Sequence, residues 1–123
     1  MKRSILLLLL SVFALSGYSQ NKGTEKILAK AEDGNAKAQY RIGWYYGNGA
    51  KERNELKAIE WLEKSAENNY HPAQYYLGWF YFYGHGVKKD INKATYWYDK
   101  AAALGNKEAE KMLKVCKLHS GKN

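Results

Sequence analysis

The side chains best suited to chemistry are few. Three histidines, His71, His85 and His119, and a single cysteine, Cys116, are the candidates for metal ligation or nucleophilic attack. Cys116 and His119 lie three residues apart, a spacing that places both on one helix face. A structural zinc site takes four ligands, and no HExxH or CxxC pattern supplies the rest. Ala109, Met112, Leu113 and Cys116 instead form an i, i+3, i+4, i+7 apolar stripe, which makes Cys116 a small core residue. Metal or redox use and pairing with a second chain are the alternatives. His85 sits between Gly84 and Gly86, in a turn where most residue types serve. Ser19-Gln20-Asn21-Lys22 spells the S-x-x-K of acylating serines without the companion motifs such sites need. Gly47-Asn48-Gly49 and Gly84-His85-Gly86 each follow a helical pattern, whereas a dinucleotide phosphate loop follows a strand. No nucleophile, base and orienting group assemble, so the sequence predicts no enzyme, no cofactor and no metal.

The elements that would position any site repeat along the chain. Ala38-Gln39-Tyr40-Arg41-Ile42-Gly43-Trp44 returns as Ala73-Gln74-Tyr75-Tyr76-Leu77-Gly78-Trp79, 35 residues later. Gly47-Asn48-Gly49 returns as Gly84-His85-Gly86. The ten residues Lys57 to Ala66 return as Lys93 to Ala102, 36 residues later. Three matches in one order mark a repeat array. Partial units flank the two copies: Ala31-Glu32-Asp33-Gly34 ends an earlier second helix, and Ala109 opens a last one through about Leu118. The solenoid is expected over 24–118, with repeats at about 36–70 and 71–106 and half-repeats at 24–34 and 107–118.

Each unit reads as helix, turn, helix. Ala73, Leu77 and Tyr81 fall on one face at helical spacing. Gly78 beside them costs roughly 1 kcal/mol against alanine, which points to close approach of the partner helix. Asn54 and Asp90 precede the second helices and can cap them. Gly34, Asn69 and Gly105 stand where second helices stop, and these types tolerate a left-handed cap. Pro72 is at a helix start, where its missing N–H does no harm. The first copy lacks two residues between Trp44 and Gly47 and has one extra between Gly49 and Lys57, so its first helix is expected to end early at an irregular turn.

Ala73, Leu77-Gly78, Tyr81, Gly84-His85-Gly86-Val87, Asp90, Lys93-Ala94, Trp97-Tyr98, Lys100-Ala101-Ala102 and Gly105 resemble the Sel-one-like repeat, a relative of the tetratricopeptide repeat. The first copy is looser, with Ile42, Ala50 and Ser65 replacing leucine, valine and alanine of that pattern. The resemblance covers about four fifths of the chain and implies an all-α, right-handed superhelical solenoid of antiparallel helix hairpins, about two and a half repeats long. It also implies an adaptor for proteins or peptides. Some secreted relatives staple each hairpin with paired cysteines; the lone Cys116 excludes that here.

The first 19 residues do not read as solenoid. Lys2 and Arg3 precede an apolar run from Ile5 to Leu15, broken only by Ser11, and small residues at Gly17 and Ser19 fit a signal-peptidase site cutting between Ser19 and Gln20. The run is too short to span a bilayer, and an uncleaved anchor is the alternative. The sequence therefore predicts export, to the periplasm or the medium of a Gram-negative bacterium, with no transmembrane segment after processing. Residues 20–23 and 119–123 are expected to be disordered ends. The formal charge of +8 falls to +6 when Lys2 and Arg3 are removed, and it favours acidic partners such as an acidic protein or wall polymer.

Aromatic residues are in excess, at 15% of the chain, and the core positions Tyr46, Trp61, Tyr81 and Trp97 do not absorb them all. Tyr75 and Leu77 differ by about 200° around a helix, so Tyr75 and Trp79 point away from the core face. By analogy with tetratricopeptide solenoids, whose first helices line the concave surface, Tyr40, Trp44, Tyr75, Trp79, Phe82 and Tyr83 form an aromatic strip, continued by Lys111 and Val115. Tyrosine and tryptophan favour binding hot spots, so the expected function is an exported protein or peptide interaction module using this strip. Burial of the rings in the solenoid itself and a homodimer face are alternative uses. A wall-glycan-binding protein and an envelope hydrolase are the competing functions. Nucleic acid is not an expected partner, because the positive charge is spread rather than clustered.

Overall fold

The computed structural model describes residues 22–49 and 53–120, and all regular structure among them is helical. The helices are α1 (Lys22–Glu32), α2 (Ala36–Asn48), α3 (Glu55–Glu67), α4 (His71–Tyr83), α5 (Ile91–Ala103) and α6 (Lys107–Ser120). Each packs mainly on its neighbours in the chain, the quasi-one-dimensional arrangement of a solenoid. The expected signal segment, with Ser19 and Gln20, lies outside the described residues, as does Ala50.

Local chemistry explains the boundaries. The side chains of Asn35, Asn54, Asp90 and Asn106 accept from the backbone N–H groups of Ala38, Lys57, Lys93 and Ala109, at 2.9, 3.1, 3.0 and 2.9 Å. Each such cap is worth about 1 kcal/mol. Asn69 has φ 59°, matching Gly34 at 93° and Gly105 at 92°, so the second helices do stop at left-handed residues. α4 begins without a side-chain cap, with Pro72 in its first turn.

Two clusters make the core. Ile42, Tyr46, Leu62, Leu77 and Phe80 belong to the first; Phe82, Tyr98, Ala109 and Cys116 belong to the second. Gly43 and Gly78 let paired helices touch: a Cβ on Gly78 would lie 2.8 Å from the Tyr98 ring, and one on Gly43 would lie 2.8 Å from Leu62 Cγ. Two buried glutamines join successive hairpins. Gln39 Nε2 donates to the Ala31 carbonyl at 3.0 Å and Gln74 Nε2 to the Ala66 carbonyl at 3.1 Å. Each is a second donor to a carbonyl in the last turn of the preceding helix, beside the local N–H of Gly34 or Asn69.

Three expectations need correction. α2 does not end early: α2 and α4 both have 13 residues. Gly47 and Asn48 belong to the helix, and position 47 suits glycine because a side chain there would stand 3.1 Å from the Tyr76 hydroxyl and 3.3 Å from Phe80. Gly49 caps the helix at an ordinary φ of −65°. The chain is helical from Lys22, before the expected start of the solenoid. At the other end, His119 and Ser120 extend α6, with His119 Nδ1 3.0 Å from the Val115 carbonyl and the His119 ring edge-on to Phe82.

Candidate functional site

The buried residues of α2 include Ile42, Gly43, Tyr46 and Gly47, and those of α4 include Leu77, Gly78, Phe80 and Phe82. At about 100° per residue, the opposite arc of α2 carries Lys37, Tyr40, Arg41, Trp44 and Asn48. The equivalent arc of α4 carries Pro72, Tyr75, Tyr76, Trp79 and Tyr83. None of these ten is buried. Trp44 and Tyr83 are the most open aromatics of the set, each 51% exposed, and Tyr40, Tyr75 and Trp79 are half-buried.

Phe82 does not belong with them. It is buried, because that flank of α4 is covered by α6 and its ring meets His119 at 5.3 Å. Its counterpart 35 residues earlier is Gly47, which faces the next hairpin in the same way. Tyr76, which the sequence reading passed over, takes its place on the open side. The only signal for Tyr76 was its position 35 residues after the exposed Arg41.

The rings are fixed by one another. Trp79 has His85 stacked on it at 4.7 Å and 16°, Tyr76 at 5.7 Å and 30°, and Tyr83 at 5.1 Å. Tyr40 packs on Tyr70 at 5.4 Å, and Tyr75 on the buried Tyr98 at 5.7 Å. Asn48 ties the two helices: its Nδ2 donates to the Trp44 carbonyl at 3.1 Å and to the Tyr76 hydroxyl at 2.5 Å. Beside it opens a cleft of about 420 Å³ lined by Gly47, Asn48, Gly49, Arg53, Tyr76, Trp79 and Phe80. Arg53 Nη2 is 2.8 Å from Glu55 Oε1, and His85 Nδ1 is 3.9 Å from the same oxygen. His85 is thus more than a turn filler: it braces Trp79.

Burial pushes the phenol groups of Tyr40, Tyr75 and Tyr76 above the usual tyrosine range. Burial also holds the Cys116 thiol up, with Thr95 opposing. A raised thiol is a poor nucleophile, since the thiolate is the reactive form. Cys116 is 1% exposed while His119 lies at the surface, so the pair forms no shared open face. These three phenols stay protonated near neutrality and act as hydrogen-bonding, ring-bearing surface.

The Sel1 repeat model matches residues 36–70 and 71–106. The chain belongs to the Sel1 repeat family. A Sel1 repeat protein from Oxalobacter formigenes is 36% identical over 76% of this chain and 71% of its own, with a TM-score of 0.70. A protective antigen of uropathogenic Escherichia coli with an SLR fold is 40% identical over 77% of this chain, with a TM-score of 0.72; the match spans 21% of that antigen. No curated protein matches the chain. The Sel1 solenoid is typically a non-catalytic scaffold, and proteins built from it are generally protein–protein interaction modules.

Proposed function

We propose that this Sel1 repeat protein is an exported interaction module that binds a segment of another protein through the first-helix face of its two full repeats. The observation that carries the reading is the open side of α2 and α4, where Tyr40, Trp44, Tyr75, Tyr76, Trp79 and Tyr83 all keep solvent-accessible surface. Such an aromatic surface binds with reduced ordering cost, because Tyr40, Tyr75, Tyr76, Trp79 and Tyr83 are already packed on other rings. Trp44 is the natural hot spot: it is half exposed, and its carbonyl accepts from Asn48, which lines the cleft. Export rests on Lys2, Arg3, the apolar run Ile5–Leu15 and the small residues before Gln20.

The test is a pull-down from an envelope fraction with the protein and its Trp44→Ala variant. Trp44→Ala is expected to keep its melting midpoint and to lose a captured partner by tenfold or more. Equal capture by a folded Trp44→Ala protein contradicts the reading.

A further inference from the structure

Charge on this molecule is sorted by helix. α2 and α4 contain no aspartate or glutamate, whereas α3 alone carries Glu55, Glu60, Glu63 and Glu67. The charged residues of the first-helix face are therefore all basic. Lys37 and Arg41 are exposed and, with Trp44, fall within roughly 60° of arc on α2. Neither makes an ion pair among the described residues. Arg53 lines the cleft and bears electrostatically on Tyr76, as Glu55 does with the opposite sign. It spends one nitrogen on Glu55, and a guanidinium has five N–H donors in all. At the α6 end of the strip Glu108 bears on Tyr75 and lies 3.6 Å from Lys111.

We infer that the first-helix face takes an extended acidic peptide, its carboxylates meeting Lys37, Arg41 and Arg53 and its apolar side chains meeting Trp44 and Trp79. The inference rests on the proposed use of the aromatic strip and adds the partner's chemistry. Complementary charge would give steering, register and rejection of basic segments. A peptide fits better than an anionic polysaccharide. Sel1 repeat proteins are generally protein–protein interaction modules, and of the two tryptophans only Trp44 leaves its ring open, since Trp79 already has His85 and Tyr76 against it.

The experiment is an anisotropy titration of the purified protein into fluorescein-labelled random copolymers of glutamate with tyrosine and of lysine with tyrosine, and into labelled polygalacturonate. Wild type, Trp44→Ala and Arg41→Gln/Arg53→Gln are compared, after thermal melts confirm that each is folded. The expected result is binding of the glutamate–tyrosine copolymer alone, weakened by salt, by tenfold or more in the arginine variant, and likewise in Trp44→Ala. Equal binding of the lysine–tyrosine copolymer, with loss only in Trp44→Ala, overturns the acidic preference and leaves the strip standing. Binding of the acidic copolymer that Trp44→Ala leaves intact overturns the strip, and the inference with it. Retention of polygalacturonate alone assigns the face to polysaccharide, and binding of none of the three overturns the inference outright.

Discussion

Gly78 has no space for a side chain, since its Cβ would meet the Tyr98 ring at 2.8 Å. Tyr98 is fully buried and meets that Cβ with ring atoms instead of a flexible chain end, so it has little room to yield. Gly78→Ala is expected to destabilise the fold by about 1–3 kcal/mol in a denaturant melt, despite alanine's better helix propensity. Trp44→Ala sits at the other extreme: an open position whose loss changes stability by about 0.5 kcal/mol or less. Glu63 gives a pH-dependent case. Burial and the neighbouring Glu67 raise its carboxyl pKa, with Tyr81 opposing. A raised folded pKa favours the protonated form, so ionised Glu63 carries a penalty that appears as pH rises through that pKa and is absent below the unfolded value. Glu63→Gln is expected to be modestly more stable than wild type near pH 7, by less than about 1 kcal/mol because the group is part exposed. The advantage should vanish in melts below about pH 4.

The helices are linked by devices used twice. Gln39 and Gln74 each reach back eight residues to a carbonyl of the previous helix. Gln74→Ala removes one of two donors to the Ala66 carbonyl, which keeps the Asn69 N–H at 3.1 Å, and is expected to cost about 0.5–1.5 kcal/mol in the same melt. Glu110, 36 residues after Gln74, is exposed, so the junction to α6 has no such link and should show faster amide exchange than the α3–α4 junction. The caps and the left-handed stops of the second helices were legible in the sequence because they depend on residues a few positions apart. Asp90 caps its own helix, and Gly78 declares close packing by lacking a side chain. Which flank of a helix the next hairpin covers is not local. Phe82 reads as an extension of the Tyr75–Trp79 ridge, yet α6 lies over it. Tyr76 reads as an off-ridge neighbour, yet that side stays open. Aligning Gly47-Asn48-Gly49 with Gly84-His85-Gly86 also imposed an offset of 37 residues where the helices keep 35, and so misplaced the end of α2.

Two full repeats with a helix at either end make a solenoid whose two sides differ. One side carries the aromatic face with Lys37 and Arg41; on another, Lys64 covers Trp61 and Lys100 covers Trp97 at 4.5 and 5.8 Å. The terminal helices are amphipathic and turn their buried positions, Leu28 and Ala31 on α1 and Ala109 and Cys116 on α6, toward the array. Exposed apolar residues elsewhere, such as Leu56 and Leu118, are scattered singly, as on most soluble surfaces. On the proposed reading the first-helix face meets a foreign partner, and light scattering is expected to give the mass of one chain. A dimer abolished by Trp44→Ala would assign that face to self-association instead. The most direct measurement is site-specific photocrosslinking in the producing cell, with a photoreactive phenylalanine analogue placed in turn at Trp44, at Tyr83 and at Leu56 on α3. The account predicts one shared partner adduct from positions 44 and 83 and none from position 56. Adducts from position 56 alone would contradict it.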